Sequence, residues 1–374
     1  MTVLRKKRVL LLSEGFGAGH TQAAKALSVI LKQTNGGIQT RVLELGSFLH
    51  PTLAPWIFTA FRKTVTSQPK LYGRFYRYKY EKSLNKLTQL ALHRIFYAQT
   101  AEIINKFKPD IIVCTHPFPN AVISRLKRAG LSIPLCTVIT DYDAHGTWIS
   151  PEVNKYLVST ENVKNKLLGH GIPSHQIEIT GIPVHPSFRE PQDREAIRQE
   201  FNLKPLPTVM VMGGGWGMIN SDALYDNMAK WKDSIQFLFC LGSNTKALAK
   251  LSGDPRFQHP NIRLIGFTRE IGKLMEVSDL LITKPGGMTC SEGLAKSIPM
   301  LFYQAIPGQE EENLQYFTAS GFGESIESSA TFEHWFRRLS ESYLDVQQSR
   351  AQFSSQYRAS HNVDYSSVIM GLLG

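Results

Sequence analysis

"DLLITKPGGMTCSEGLAKSIPMLFYQAIPGQEEEN" runs from Asp279 to Asn313. Its pattern is strand, glycine turn, helix, strand and acidic loop. Gly286 and Gly287 leave the backbone open for close ligand approach. Met288, Thr289 and Cys290 then present N–H groups at the start of a helix holding Ser291 to Lys296. A helix N-terminus carries free donors and the positive end of a dipole, so a pyrophosphate fits there, and Lys284 adds charge. No GK[ST] follows the glycines, so this is not a Walker A loop and ATP hydrolysis is not expected. Glu292 stands about one turn into the helix, where a carboxylate can accept from a ribose diol; complementing the helix dipole is the plainer alternative. Gln309, Glu310, Glu312 and Asn313 gather donors and acceptors such as a sugar requires, although a solvated helix start has the same composition.

Outward from this block, short continuous apolar runs alternate with helical patterns. "RVLLLSE", "TRVLELG", "DIIVCTHP", "LCTVITDYD" and "KYLVST" form a first series of strands. "TVMVMGGGWG", "IQFLFCLG", "IRLIGF", "DLLITKPGG" and "PMLFYQ" form a second. Continuous apolar strands separated by helices indicate parallel sheets covered on both faces. The stretch "GIPVHPSFREPQDREAIRQEFNLKPLP", rich in proline and charge, suits a linker. The expected fold is α/β, with two doubly wound, Rossmann-like domains of mostly parallel sheet facing a cleft. The domains are placed at 1–185 and 186–350, and a C-terminal helix over 351–374 is free to return to the N-terminal domain. Ligands in such sheets bind outside the carboxyl ends of the strands.

The chain has 374 residues, 42% hydrophobic and 20% charged, with a net charge of +11. That length favours two domains, and the basic excess points to an anionic partner. Cys114, Cys136, Cys240 and Cys290 are widely spaced without a CxxC pair, which argues against a zinc site or a disulfide framework. No apolar segment approaches the roughly 20 residues of a membrane-spanning helix. "MTVLRKKRVLLLSEG" reads as charges before a buried strand rather than as a signal peptide. Residues 57–108 carry 11 Lys/Arg against two acids, interleaved with aromatics. Arg62, Lys63, Tyr72, Arg74, Phe75, Arg77, Tyr78 and Lys79 suit an anionic bilayer surface. Nucleic acid would attract the same residues, but no nucleic-acid motif accompanies them.

The Lys284–Asn313 block, "GAGH" at Gly17–His20 and "MVMGGGWG" after residue 209 together resemble the bacterial processive diacylglycerol glucosyltransferases and plant monogalactosyldiacylglycerol synthases. These belong to glycosyltransferase family 28, with the GT-B fold. The resemblance covers most of the chain and implies inverting transfer of glucose or galactose from a UDP-hexose to diacylglycerol or glycosyldiacylglycerol, by a peripheral protein on the cytoplasmic face of the membrane. It implies no permanently bound cofactor and leaves divalent-metal dependence open. By the same resemblance Phe267 and Thr268 hold uracil, Gly287, Met288 and Thr289 the diphosphate, and Glu292 the ribose. Gln309, Glu310 and Asn313 then face the hexose, with Glu312 beside them, and Asn244 lines the donor site. A GT-B enzyme acting on another lipid-linked precursor, and a membrane-bound sensor of UDP-sugar, remain as alternatives.

Inverting transfer needs a base for the acceptor hydroxyl, and histidine is the common base near neutral pH. His20 sits where "SEGFGAGHTQAAKAL", Ser13–Leu27, enters its helix. The loop does not fit the dinucleotide fingerprint, because histidine stands where the last glycine belongs. Its glycines, Gly17 and Gly19 included, are expected to leave room for the acceptor and the closing donor. The resemblance gives His20 the base or acceptor-side role; a helix-start histidine bonded to backbone is the structural alternative. "TDYDAHGTW" offers Asp141, Asp143 and His145 after a strand, and "CTHPFPN" offers His116. Asp141-x-Asp143 has the form of a metal-binding DxD, yet GT-B enzymes do not hold their donor that way. No metal ligand is assigned, and Asp141 and His145 are expected to contact the acceptor or support His20.

Overall fold

The computed structural model describes residues 5–34, 36–67, 99–213, 221–360 and 364–373. The chain divides into two compact units. One is Met1–Pro186 with Ile306–Glu312 and His361–Gly374; the other is Ser187–Ala305 with Asn313–Ser360.

The first unit is built on strands β1 (Lys7–Ser13), β2 (Ile38–Glu44), β3 (Ile111–Cys114), β4 (Leu135–Val138), β5 (Lys155–Val158) and β6 (Ile177–Ile179). They form one sheet in the order β2-β1-β3-β4-β5-β6, with every pair parallel. Val9, Leu10, Leu11 and Leu12 are buried on both faces of β1, as expected for a parallel strand under helices, and each such side chain contributes about 1.5–3 kcal/mol. Leu10 and Leu12 pack on the side of Trp148 and Tyr156, while Val9 and Leu11 pack on the side of Leu27 and Leu31. Helix α1 (Ala18–Thr34) follows β1, and two further helices, α2 (Leu45–Leu49) and α3 (Ala54–Ser67), follow β2. Tyr365, in the short helix Tyr365–Met370, packs with Ile369 into this core, and its hydroxyl donates to the Thr180 carbonyl at 2.8 Å.

The second unit carries β7 (Thr208–Met212), β8 (Gln236–Gly242), β9 (Ile262–Gly266), β10 (Leu280–Thr283), β11 (Met300–Phe302) and β12 (Gly323–Ser325). Their order is β12-β11-β10-β7-β8-β9, again all parallel. Asp279 ties the starts of its two central strands together. Its buried carboxylate accepts from the Thr208 N–H at 2.9 Å, from Arg194 at 2.7 Å and from the Tyr343 hydroxyl at 3.1 Å. Arg194 opens the helix Arg194–Glu200, capped by Asp193, so the proline-rich linker holds a helix of its own.

Each sheet has one strand more than the apolar runs indicate. β6 and β12 are three residues long and lie at sheet edges. Each sheet also reverses its order once, between β1 and β3 in the first and between β7 and β10 in the second. At such a point neighbouring helices leave on opposite faces, which opens a crevice at the carboxyl ends of the strands.

Candidate active site

The first reversal gathers imidazoles. β1 ends at Ser13, a short glycine loop follows, and His20 stands in the first turn of α1. β3 leads into His116, which caps the helix Pro117–Arg128, and β4 leads into the segment holding Thr140 and His145. The His20 and His116 rings meet edge to face with centroids 4.7 Å apart, and the buried Trp148 ring lies 6.1 Å from His20. Phe16 stacks on the other side of His116 at 5.7 Å.

Burial holds all three histidines neutral. It lowers His20 to about 4 against a small opposing contribution from the Thr115 backbone, and His145 lowers it further. His116 is pushed well below its ordinary value by burial and by both neighbouring histidines. His145 is lowered to about 4 by burial, with Asp143 opposing. The Nδ1 of His116 accepts the Phe118 N–H at 3.1 Å, so the His116 proton is carried on Nε2. His20 Nδ1 lies 2.5 Å from the Thr140 hydroxyl, and the Thr115 hydroxyl donates to the His20 carbonyl at 2.9 Å. The ring partner of His20 is thus Thr140 rather than Asp141 or His145.

Asp141 is buried, and its carbonyl accepts from the Ser159 hydroxyl at 2.7 Å. Asp143 is buried in an ion pair with Lys166. Among the described residues no group of three or more His, Cys, Asp or Glu is placed to hold a metal ion.

The loop glycines differ from one another. A side chain at Gly17 would meet nothing within 4 Å, whereas a Cβ at Gly15 would come 2.9 Å from the Phe58 ring of α3. Only part of the loop therefore leaves room for a ligand. Glu14 accepts from the Gly15 N–H at 3.0 Å and the Gly46 N–H at 2.6 Å, and burial raises its carboxyl above the ordinary value. It fastens the loop to the start of α2, a role that a pairing across 32 positions hides from the sequence.

The second reversal carries the glycine turn. Gly286 caps the helix Gly287–Ala295, which has no acid in its first turn. The Gly286 N–H closes on the Lys284 carbonyl at 2.8 Å, and a Cβ at Gly286 would meet nothing within 4 Å. The N–H groups of Gly287, Met288 and Thr289 thus stand at an open, uncompensated helix start. Glu292 lies in the next turn; burial alone pushes its carboxyl up to about 8, and among the described residues its side chain has no partner.

The other residues expected on the donor side follow neighbouring strands of the same sheet. Asn244 comes after β8, where its side chain caps the helix Thr245–Ser252 by accepting from the Ala247 N–H at 3.0 Å. Phe267 comes directly after β9 and is 74% exposed. The Thr268 hydroxyl accepts from the Glu270 N–H at 3.0 Å. Gln309, Glu310, Glu312 and Asn313 open the helix Gln309–Ala319 after β11. Glu310 accepts from the Ile306 N–H at 2.6 Å, and Glu312 stands 3.8 Å from the Lys166 ammonium. Asn313 is 1% exposed and donates to the Pro285 carbonyl at 3.0 Å, bracing the glycine turn from below.

Of the basic segment, Arg62 and Lys63 lie in α3, with Lys63 exposed. Tyr72, Arg74, Phe75, Arg77, Tyr78 and Lys79 lie outside the described residues, as does most of the glycine run after β7. At and just before the start of the segment, Phe48, Leu53, Trp56 and Ile57 are all exposed, Trp56 by 77%. This apolar group, on α2, α3 and the turn between them, does not stand out in the sequence, where exposed and buried apolar residues look the same. No helix among the described residues is long and apolar enough to cross a membrane.

Solved structures share this architecture. MurG of Acinetobacter baumannii matches 98% of this chain and 99% of its own with a TM-score of 0.59 at 14% identity. HepE of Anabaena, solved with UDP-glucose, matches the same shares with a TM-score of 0.60 at 12% identity. The two parallel six-stranded sheets are those of the GT-B class of glycosyltransferases. Residues 20–184 match the monogalactosyldiacylglycerol (MGDG) synthase family, and residues 208–367 match the glycosyltransferase family 28 C-terminal domain. The processive diacylglycerol beta-glucosyltransferase of Bacillus subtilis is 32% identical over 84% of this chain and 82% of its own length. That of Staphylococcus epidermidis is 31% identical over 86% and 81%. The chain belongs to this family of MGDG synthases and processive diacylglycerol glucosyltransferases.

Proposed function

We propose that the protein transfers a hexose from a UDP-sugar to the free hydroxyl of diacylglycerol, inverting the anomeric carbon, at the cytoplasmic face of the membrane. The observation that carries this reading is His20: a neutral imidazole at the first reversal of strand order, backed on one nitrogen and set among other histidines. It takes the proton of the acceptor hydroxyl as that oxygen bonds to the anomeric carbon. The bond from that carbon to the diphosphate breaks, and the leaving charge falls on the open N-terminus of Gly287–Ala295 and on Lys284. His116 and His145 form the acceptor side with it.

The donor residues follow four strands, β9, β8, β10 and β11, of a row of five that β7 completes. At the usual spacing these span about 19 Å, enough to lay out base, ribose, diphosphate and hexose in order. Phe267 offers an exposed ring to uracil, and Glu292 a carboxyl to the ribose diol. Glu310 and its neighbours would meet the hexose, while the buried Asn313 acts through Pro285. The names of the bacterial relatives favour glucose and repeated addition.

Phe48, Leu53, Trp56 and Ile57 beside exposed Lys63 supply an apolar face with basic residues next to it. Each basic residue near an anionic bilayer adds about 1 kcal/mol. The test is incubation with labelled UDP-glucose or UDP-galactose and diacylglycerol in anionic vesicles, with the lipid product identified by mass. Mono- and dihexosyldiacylglycerol are expected with UDP-glucose. Absence of glycolipid with both donors, or a preference for UDP-GlcNAc and another lipid-linked acceptor, contradicts the proposal.

A further inference from the structure

Two threonines hold His20, each placed by a strand next to the reversal. Thr115 follows β3 directly and fixes the His20 backbone through its carbonyl at 2.9 Å. Thr140 lies two residues beyond β4, is 3% exposed, and meets the ring at Nδ1 at 2.5 Å. His116 and Trp148 close on the same ring from other sides. A histidine that accepts a proton through one nitrogen must carry its own proton on the other, and the partner of that second nitrogen decides which tautomer is held.

We propose that Thr140 is the positioning residue that sets the tautomer of His20: its hydroxyl oxygen accepts the Nδ1 proton and leaves the Nε2 lone pair for the acceptor hydroxyl. This deepens, and rests on, the reading of His20 as base. The contact is to a neutral hydroxyl, where histidine bases are often backed by a carboxylate. Neither nearby carboxylate replaces it. Asp143 is spent on Lys166, and Asp141 does not figure among the groups that shift the His20 ring. A threonine orients the ring without adding the negative charge that would draw a proton onto it. The imidazole therefore stays uncharged until the acceptor proton arrives, and loses that proton readily afterwards.

The experiment compares Thr140→Val, Thr140→Ser and His20→Ala in the full-length protein, with nitrogen-15 NMR of the His20 ring in the first two and the wild type. Valine keeps the volume and removes the acceptor. It is expected to lower kcat ~10–100-fold with the KM for UDP-sugar unchanged, and to mix the two tautomers. Serine is expected to keep kcat within about threefold of the wild type and to hold the Nδ1-protonated form. If His20→Ala is inactive while Thr140→Val keeps wild-type kcat and tautomer, the role of Thr140 is overturned and the base stands. If His20→Ala turns over normally, the base reading falls and this proposal with it. A wild-type ring protonated on Nε2 overturns the Thr140 assignment even if the valine variant fails to fold.

Discussion

The two glycine turns look alike in sequence, each carrying a buried strand into a helix at the point where its sheet reverses order, yet their surroundings differ. The first is filled by the protein itself at Gly15, though not at Gly17. Phe58 closes on Gly15, Glu14 takes up the Gly15 and Gly46 N–H groups, and His20 stands in the first helical turn. The second is left open. A Cβ at Gly286 would meet nothing within 4 Å, and Glu292, half-buried in the next turn, has no side-chain partner among the described residues. The first turn donates to its own carboxylate and carries a histidine; the second keeps N–H groups that, on the reading proposed above, receive the diphosphate. Glycine spacing alone does not separate these cases, because the separating atoms come from residues far along the chain.

The comparison breaks most sharply at Glu292. Above pH 8, where the carboxyl is ionised, Glu292→Gln is expected to weaken UDP binding about 10–100-fold, the loss of a charged hydrogen bond or two to a diol. The raised carboxyl, about 8, fixes the sign of the pH dependence. Wild-type affinity rises as the pH passes upward through that value and the carboxyl ionises, and the glutamine variant is flat. Calorimetric titration of UDP between pH 6 and 9 reads both.

A pair of alanine substitutions comes next. Gly15→Ala pushes a Cβ onto the Phe58 ring and is expected to cost about 1–3 kcal/mol of stability with donor affinity unchanged. Gly286→Ala meets open space and an ordinary backbone angle, so its stability stays within about 1 kcal/mol of wild type while UDP affinity falls about tenfold. Thermal melts and UDP titrations of the two variants should therefore show opposite patterns.

The smallest effect is acid sensitivity of the first turn. His20 titrates near 4 in the folded protein against 6.5 unperturbed. As pH falls below about 6.5 the unfolded chain binds the proton first, so stability is lost progressively down to about pH 4. Denaturant unfolding at pH 7 and pH 5 should show a loss in the wild type that His20→Ala reduces.

Much of this architecture is legible in the sequence. Continuous apolar runs mark five strands of each sheet, and both glycine turns fall where runs end. The two omissions, Ile177–Ile179 and Gly323–Ser325, are edge strands of three residues, too short to carry a period. Within the site, residue types that carry chemistry on their own stand out: His20, His116, Glu292 and an exposed Phe267. Residues whose importance lies in a partner do not. Thr140 is one threonine among many until it is seen 2.5 Å from His20 Nδ1, 120 positions away. Asn244 and Asn313 look like ligand-facing amides, and the sequence does not show that the Asn244 oxygen caps one helix and the Asn313 amide donates to the second turn. The exposed group Phe48, Leu53, Trp56 and Ile57 escapes because buried and exposed apolar residues are the same letters.

The most direct test of the contrast pairs His20→Ala with the wild type, measuring transfer of labelled glucose to diacylglycerol vesicles together with UDP affinity. A base presented by the first turn and a donor site formed by the second predict that kcat falls about 10²–10⁴-fold while the Kd for UDP stays within about twofold. A variant that keeps its turnover, or loses UDP binding along with it, contradicts the account.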